Sequence, residues 1–296
     1  MANPKVKQKK KKRQMIPVLL LAIISFLLIS CPYISNLSFE MATDATISTL
    51  EKEADDDSDK YSEELEAARE YNSRLTNYRV SLEAFSETEN DGEDTDYNDL
   101  LKMTSDGAMG YIEIPSIDVR LLIYHGQSDE VLKKGVGHIK GTSLPVGGES
   151  THAVLTGHTG LASAKLFTDI NKLEKGDIFV LNVAGEKLAY AVDQIKVVEP
   201  EDTSDLTIVD GKDYCTLVTC TPYGVNSHRL LVRGERTEYN EATVDEAQGT
   251  KADMSSQWLS EYNKGLLLTA ALFALGFLVI IIIRKSKDKK KKNKLM

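Results

Sequence analysis

The stretch "YCTLVTCTPYGVNSHRLLVRGER", residues 214–236, contains two apolar, β-branched runs separated by a polar connection with Pro and Gly. This pattern predicts two strands joined through residues 221–228. Cys220 ends the first run and Arg229 begins the second. If the two strands are antiparallel neighbours, Arg229 returns alongside Cys220.

The same pattern of short apolar runs and polar connections begins near Gly110 and continues to this pair of strands. Short apolar runs with Gly-, Pro- and Asp-rich connections are "GYIEIPSIDVRLLIYHG", "THAVLTGH", "DIFVLNV" and "KLAYAVDQIKVVEP". Many short strands at close spacing are typical of a β-barrel or a β-sandwich. Only "SAKLFTDINKLEKGD", residues 163–177, predicts a helix in this region. We therefore predict a mainly β domain over residues 108–240.

Upstream, residues 38–107 are acidic and predict an extracellular helical region. "YSEELEAAREYNSRL" carries Tyr61, Leu65, Ala68 and Tyr71 at helical spacing. "SETENDGEDTDYND", residues 86–99, is charge-rich and has no apolar period, so we predict a loop there.

The formal net charge of -9 conceals a segregation of charge along the 296 residues. The segments "KVKQKKKKRQ" and "RKSKDKKKKNK" hold 15 basic residues and one acidic residue, which leaves 21 basic and 44 acidic residues elsewhere. Such an acidic remainder argues against a nucleic-acid partner.

Two uncharged, apolar segments adjoin these basic tails, at residues 15–37 and 265–283. About 20 apolar residues span a bilayer, so both predict transmembrane helices. The basic flanks place the tails, residues 1–14 and 284–296, in the cytoplasm. Residues 38–264 then face outward, and residues 241–264 form a linker to the second span.

The first apolar segment has two alternative interpretations. It could be a cleaved signal peptide, because it has a basic start and an apolar run. "LISC", ending at Cys31, resembles a bacterial lipobox, which would place a lipid on that cysteine. A cysteine within a membrane helix is the simpler interpretation.

Three cysteines, Cys31, Cys215 and Cys220, are too few for a disulfide framework and lack the spacing of a metal site. In a regular strand, the Cα atoms of Cys215 and Cys220 would lie roughly 17 Å apart, beyond the ~7 Å limit for a disulfide. We predict a free thiol at Cys220 and a packing role for Cys215.

The chain has five histidines, which are His125, His138, His152, His158 and His228. His158 follows the apolar run "HAVLTG" in a Gly-flanked turn, where a structural turn histidine is the alternative interpretation. Beside Cys220, the charge of Arg229 would favour a thiolate and its donors would stabilise an oxyanion. His158, if it closes on the same place, would protonate a leaving amine. Together the three residues suffice to cleave a peptide bond through a thioester.

Three segments also carry a resemblance to a known family. "GYIEIPSIDVRLLIYHG", "GVGHIKGTSLPVGGESTHAVLTGHTGL" and "TLVTCTPYGVNSHRLLVRGER" resemble the sortases, the cysteine transpeptidases of Gram-positive surfaces. The phrases "SLPVGG" and "TCTPYGVNSHRLLV" look like class C, the pilus-assembling sortases. The extended N-terminal region and the second membrane segment are similar to that class as well.

The resemblance implies an eight-stranded sortase β-barrel on the outer face of a bacterial plasma membrane, without metal or organic cofactor. Cys220 would attack the Thr–Gly bond of an LPXTG-like sorting signal. His158 would be the general acid and base, and Arg229 would stabilise the substrate and the oxyanion. A pilin lysine would resolve the acyl-enzyme. His138 and His152 would belong to the framework, and His228 would point to the other strand face.

One departure from class C concerns the lid over the active site, which is usually built around an Asp–Pro–aromatic motif. The nearest counterpart here is "EAF", so Glu83 and Phe85 would form a looser lid. The alternative is that "EAF" simply continues a helix.

Other functions stay open on the sequence. Within the family, the acceptor could be a cell-wall peptide amine that anchors single surface proteins. From other classes, the chain could be a catalytically silent membrane-tethered scaffold or a plain cysteine protease that uses water as acceptor.

Overall fold

The computed structural model describes most of the chain, namely residues 4–56, 58–75, 95–242, 244, 260, 262–271 and 274–276. Its contacts divide the chain into two compact units, Met1–Ile29 with Ser255–Met296, and Ser30–Met254. In the first unit, the described residues are helical, and the hydroxyl of Tyr262 donates to the carbonyl of Ile29 at 2.7 Å.

A closed barrel of eight strands forms the second unit. The strands are β1 (Ala108–Ile114), β2 (Val119–His125), β3 (Val136–His138), β4 (Thr151–Thr156), β5 (Ile178–Val183), β6 (Glu186–Val198), β7 (Asp213–Thr221) and β8 (His228–Thr237). Around the barrel their order is β1-β2-β3-β4-β7-β8-β6-β5, and β5 pairs with β1. All neighbours are antiparallel except β2–β3 and β4–β7. The predicted eight-stranded barrel is confirmed.

Side chains from alternate strand positions fill the barrel. On β7, Cys215 and Leu217 are completely buried in this core, so Cys215 packs as predicted. Gly234 pairs with Cys215 and leaves room for the stacked rings of Phe179 and Tyr190, whose centroids lie 5.5 Å apart. A Cβ at position 234 would lie 2.7 Å from the Phe179 ring, so only glycine fits there.

The helix predicted over residues 163–177 is wrong. The structure has only a 3-10 turn there, Ile170–Lys172. Leu166 adopts φ 44°, a left-handed conformation that interrupts a helix. Since Phe167 and Ile170 are both completely buried, packing against the core outweighs the local helical preference. Two elements were not predicted, the helix α4 (Asp129–Lys134) and the strand β3.

Three further helices precede the barrel, α1 (Pro4–Asp56), α2 (Ser58–Arg74) and α3 (Thr95–Asp99). The predicted face of α2 is confirmed, because its four apolar members are all buried, namely Tyr61, Leu65, Ala68 and Tyr71. Near its end, α1 contributes Ile47 and Leu50 to the same core. The end of α1 and the helix α2 therefore pack against the barrel within the second unit.

The acidic segment 86–99, predicted as a loop, ends in the helix α3. Tyr97 of α3 is buried, and its hydroxyl lies 2.9 Å from Nδ1 of His138 and accepts from the amide of Gly126. One aromatic residue thus anchors a segment whose composition indicates only solvated chain. Residues 86–94 lie outside the described residues.

In the part of the chain that the structure describes, no helix is both long enough and apolar enough to cross a membrane.

Candidate active site

The hairpin of β7 and β8 sets Cys220 directly opposite Arg229. This is the juxtaposition predicted from the two runs of sequence. Directly opposite residues in an antiparallel pair share a face and have Cβ atoms ~4.5–5.5 Å apart. The carbonyl of Pro222 closes the connection by accepting from the amides of Val225 and Asn226, at 3.0 and 2.9 Å.

Cys220 and Arg229 lie on the outer face of the barrel. By alternation they share that face with Val218 and Leu231, which pack with Leu206 in a small second core. Arg229 is 8% exposed, while Cys220 is partly exposed. The site therefore holds a permanent positive charge beside a thiol that solvent and substrate can reach.

The parallel pairing of β4 with β7 brings His158 to the same end of the sheet. Thr156, the last residue of β4, pairs with Val218. His158 and Cys220 each lie two residues further along, so they leave neighbouring strands at the same level. Neighbouring strands are ~4.8 Å apart, so the backbone positions that carry the imidazole and the thiol are brought close together.

Three contacts fix the turn that carries His158. The amide of Gly157 donates to the carbonyl of Val218 at 3.1 Å, and the hydroxyl of Thr219 donates to the carbonyl of Gly157 at 2.7 Å. The amide of Phe167 donates to the carbonyl of His158 at 3.1 Å. The turn is therefore tied to β7 immediately before Cys220.

Burial acts in opposite directions on the two titrating groups. It raises the pKa of the Cys220 thiol, and the charge of Arg229 opposes that rise. Burial also lowers the pKa of His158; the carboxylate of Asp129 opposes this change, and Lys133 reinforces it. At neutral pH the resting pair is therefore a thiol and a neutral imidazole. Such a pair must transfer its proton as the sulfur attacks.

A nucleophile, a base and a cationic donor at one place can carry out acyl transfer. Within the described ranges, no cluster of three or more His, Cys, Asp or Glu side chains is arranged to hold a metal ion.

Comparison with known proteins decides the family. The Sortase domain family matches residues 112–237. Sortase C-1 from Actinomyces oris is 46% identical, and the alignment covers 61% of this chain and 99% of that structure, with a TM-score of 0.58. The chain belongs to the sortase family. Sortase C of Streptococcus pneumoniae is 43% identical over 66% of this chain and 97% of its own, with a TM-score of 0.60.

A curated relative gives the same family at lower coverage. Sortase D of Bacillus subtilis (strain 168) is 34% identical over 132 residues, which is 44% of this chain. The match spans 64% of that relative's length, which is less than two thirds. Since these two solved neighbours, from Actinomyces oris and Streptococcus pneumoniae, are sortases C, the resemblance to class C is confirmed.

Two other histidines of this sortase lie inside the framework. His138 is completely buried beside Tyr97, and burial lowers its pKa to about 4. His152 is buried too, with Nε2 2.7 Å from the hydroxyl of Thr216, and burial lowers its pKa. Neither lies at the strand ends that carry Cys220.

His228 occupies the other face of the hairpin. It pairs with Thr221, and its Nε2 lies 3.3 Å from Oε1 of Glu199. Its Nδ1 lies 2.8 Å from the hydroxyl of Ser227. The imidazole therefore contacts the β6–β7 connection.

Sequence reasoning missed Asp129 and Lys133, the charged neighbours of His158. A signal was present, since Ser128 followed by two acidic residues and then "LKK" is typical of a capped helix. That signal predicts the helix α4, but nothing local predicts that α4 lies beside His158.

The predicted lid residues, Glu83 and Phe85, lie outside the described residues. The lid stays a prediction.

Proposed function

We propose that this sortase is a cysteine transpeptidase that cleaves an LPXTG-like sorting signal between Thr and Gly. It transfers the acyl group to a lysine amine of a pilin subunit. The observation that carries the proposal is the strand register, which sets Cys220 opposite Arg229 at the strand end that His158 shares.

The first half of the reaction forms a thioester. His158 takes the thiol proton of Cys220 while the sulfur attacks the carbonyl carbon of the substrate threonine. Arg229 donates to the oxyanion of the tetrahedral intermediate. As that intermediate collapses, the C–N bond breaks, and the leaving glycine amine takes its proton from the imidazolium of His158.

The second half transfers the acyl group. An incoming lysine amine attacks the thioester carbonyl, and His158, neutral again, accepts its surplus proton. Collapse of this second intermediate breaks the C–S bond and forms an isopeptide bond. The sulfur of Cys220 leaves and regains a proton from His158, so the enzyme returns to its resting state.

The pilin acceptor rests on relatives. The solved sortase C of Streptococcus pneumoniae is described in terms of pilin substrate specificity, and one of group B Streptococcus is described as pilus-related. We extend that acceptor to this chain. Anchoring of single proteins to cell-wall peptide amines would use the same thioester and differ only in the amine.

We propose the outer face of the bacterial plasma membrane as the location. Residues 15–37 and 265–283 would anchor the chain, with both termini in the cytoplasm, as their composition predicts. The apolar surface of α1 supports this location, since the side chains of Leu27, Leu28 and Ile34 are 58%, 70% and 54% exposed. Such a surface is stabilised by contact with lipid.

The test uses the full chain in detergent micelles with an LPXTG peptide and a pilin domain as amine donor. Mass spectrometry is expected to show the cleaved peptide joined to a pilin lysine, and to show no product with Cys220→Ala. Hydrolysis without transfer would indicate a protease, and transfer only to cell-wall peptide amines would indicate the anchoring sortase. No acyl-enzyme and no product would indicate a scaffold.

A further inference from the structure

The helix α4 brings a carboxylate to the catalytic histidine from outside the strands that carry the active site. Asp129 lies in its first turn, and its Oδ1 is 3.9 Å from Nε2 of His158. Its other oxygen, Oδ2, contacts Nζ of Lys133 one helical turn later. The carboxylate of Asp129 is therefore shared between Lys133, which is charged at neutral pH, and the imidazole of His158, which becomes a cation only when it accepts a proton.

The backbone of α4 is held firmly enough to keep this arrangement. The amide of Val131 donates to the hydroxyl of Ser128 at 3.3 Å, which caps the start of the helix. Leu132 is buried and packs against Gly137 of β3, where an added Cβ would lie 3.1 Å from its side chain. The amide of Gly135 donates to the carbonyl of Val131 and ends the helix.

Other charged groups near His158 belong to different partners. Arg229 lies opposite Cys220 across the hairpin. Lys165 and Asp169, on the segment that follows His158, pair with each other at 3.3 Å. The carboxylate of Asp129 is the nearby negative charge that favours the protonated imidazole, and Lys133 acts against it.

We propose that Asp129 is a positioning residue of the reaction, which orients the imidazole of His158 and stabilises its cationic form during acyl transfer. Lys133 limits this effect by neutralising part of the carboxylate charge. The inference rests on the proposed function, because it assigns His158 as the base. In this role Asp129 acts through His158, which its carboxylate faces.

The two charges of α4 should move the titration of His158 in opposite directions. Asp129→Asn removes the charge that favours the imidazolium, so the pKa of His158 falls. Lys133→Gln removes the charge that opposes it, so the pKa rises. Because Asp129 is half-exposed, each displacement is expected to be about half a pH unit.

The experiment measures two pH profiles on the full chain in detergent micelles. The first is the rate of alkylation of Cys220 by iodoacetamide, followed by mass spectrometry of the peptide that contains it, which needs no turnover. The second is kcat/KM for the LPXTG peptide and an amine. The inflection due to His158 is located by its loss in His158→Gln.

In both profiles this inflection should move to lower pH in Asp129→Asn and to higher pH in Lys133→Gln. Asp129→Glu keeps the charge and should return it toward the wild-type position. Glu130→Gln is the matched control, because it removes a neighbouring exposed carboxylate of the same helix, and it should leave the inflection in place.

An unchanged inflection in Asp129→Asn, or an equal displacement in Glu130→Gln, would overturn the proposal. A lower rate at an unmoved inflection would also overturn it, because it would leave Asp129 a purely structural role. If the alkylation profiles move as expected while no variant gives transfer product, Asp129 still controls His158. The proposed transpeptidation would then be the part that fails.

Discussion

In the proposed mechanism, Arg229 serves both the resting enzyme and the reaction. Its guanidinium is nearly buried beside a thiol whose pKa burial raises, and its charge opposes that rise. Its five donors in a fixed planar arrangement are also suited to an oxyanion. These two contributions are separable. The effect on the thiol pKa needs only a positive charge, whereas donation to the oxyanion needs the planar set of N–H donors of a guanidinium.

Arg229→Gln should slow the alkylation of Cys220 at pH 7.5 by roughly three- to tenfold, because the pKa of the thiol rises further and less thiolate is present. Arg229→Lys is the matched control. It keeps the charge and should retain most of the alkylation rate, while kcat/KM for transfer still falls strongly. Equal alkylation rates in Arg229→Gln and Arg229→Lys would contradict an effect of the Arg229 charge on the pKa of the thiol.

At the scale of elements, the turn after β4 connects the core to His158, the proposed base. A Cβ at Gly157 would lie 2.8 Å from the ring of Phe167, which is completely buried. Position 157 therefore requires glycine, because the ring of Phe167 lies too close for a side chain. A Cβ atom there would displace either the ring or the turn that carries His158.

Gly157→Ala is expected to lower the free energy of unfolding by about 1–3 kcal/mol and to reduce kcat/KM by more than ~tenfold, because His158 moves with the turn. Chemical denaturation and steady-state kinetics on the full chain measure both. In a Phe167→Leu background, where the ring is absent, the same substitution should cost much less. Equal costs in the two backgrounds would exclude the steric explanation.

The helix α2 is tied to the barrel by one buried amide. The side chain of Asn72 donates to the carbonyl of Leu144 at 3.0 Å and accepts from the amide of Leu144 at 2.7 Å. Both residues are buried, so losing this side chain leaves the amide of Leu144 without its partner, whereas the carbonyl of Leu144 still accepts from the amide of Val146 at 2.8 Å.

Asn72→Ala should lower the free energy of unfolding by about 1–3 kcal/mol, because the buried amide of Leu144 loses its partner and the carbonyl of Leu144 loses one of two donors. Ser73→Ala, the next residue on α2, is the control; its hydroxyl is exposed and donates to the carbonyl of Glu70, so its loss should change stability by under ~0.5 kcal/mol. Urea denaturation gives both values. A similar, small effect of both substitutions would show that the buried amide of Asn72 contributes little to holding α2 on the barrel.

At the scale of the whole molecule, burial favours the neutral form of three histidines outside the proposed active site, His125, His138 and His152. Burial lowers the pKa of His138 to about 4 and lowers that of His125 and His152 below the usual range. The unfolded chain therefore binds protons between pH 6.5 and 4 that the folded chain does not bind. By linkage, stability falls as the pH falls through this window.

The lowered pKa of His138 alone should decrease the free energy of unfolding by roughly 1.5 kcal/mol as the pH falls from 6.5 to 5. Urea midpoints of the full chain, measured across that range, are expected to decrease steadily, and His138→Gln should have a shallower slope. A midpoint that stays constant from pH 6.5 to pH 5 would contradict the burial of neutral histidines.

Local patterns predicted much of the fold because strands and amphipathic helices have their own periods. The seven longer strands, the apolar face of α2 and the pairing of Cys220 with Arg229 all follow from runs and spacings in the sequence. The three-residue β3 and the six-residue α4 are too short to have a period. The segment 163–177 has helical spacing, but its apolar residues serve the barrel core instead.

The sequence by itself predicted seven of the eight strands, the hairpin and the three side chains proposed to carry the chemistry. Those features depend on residues near one another in the chain, so periodicity and turn chemistry suffice. Only the tertiary structure decided that β4 runs parallel to β7, which brings His158 level with Cys220, and that α4 sets Asp129 beside that histidine. These contacts join segments far apart in the chain, and the packing of one barrel core selects them.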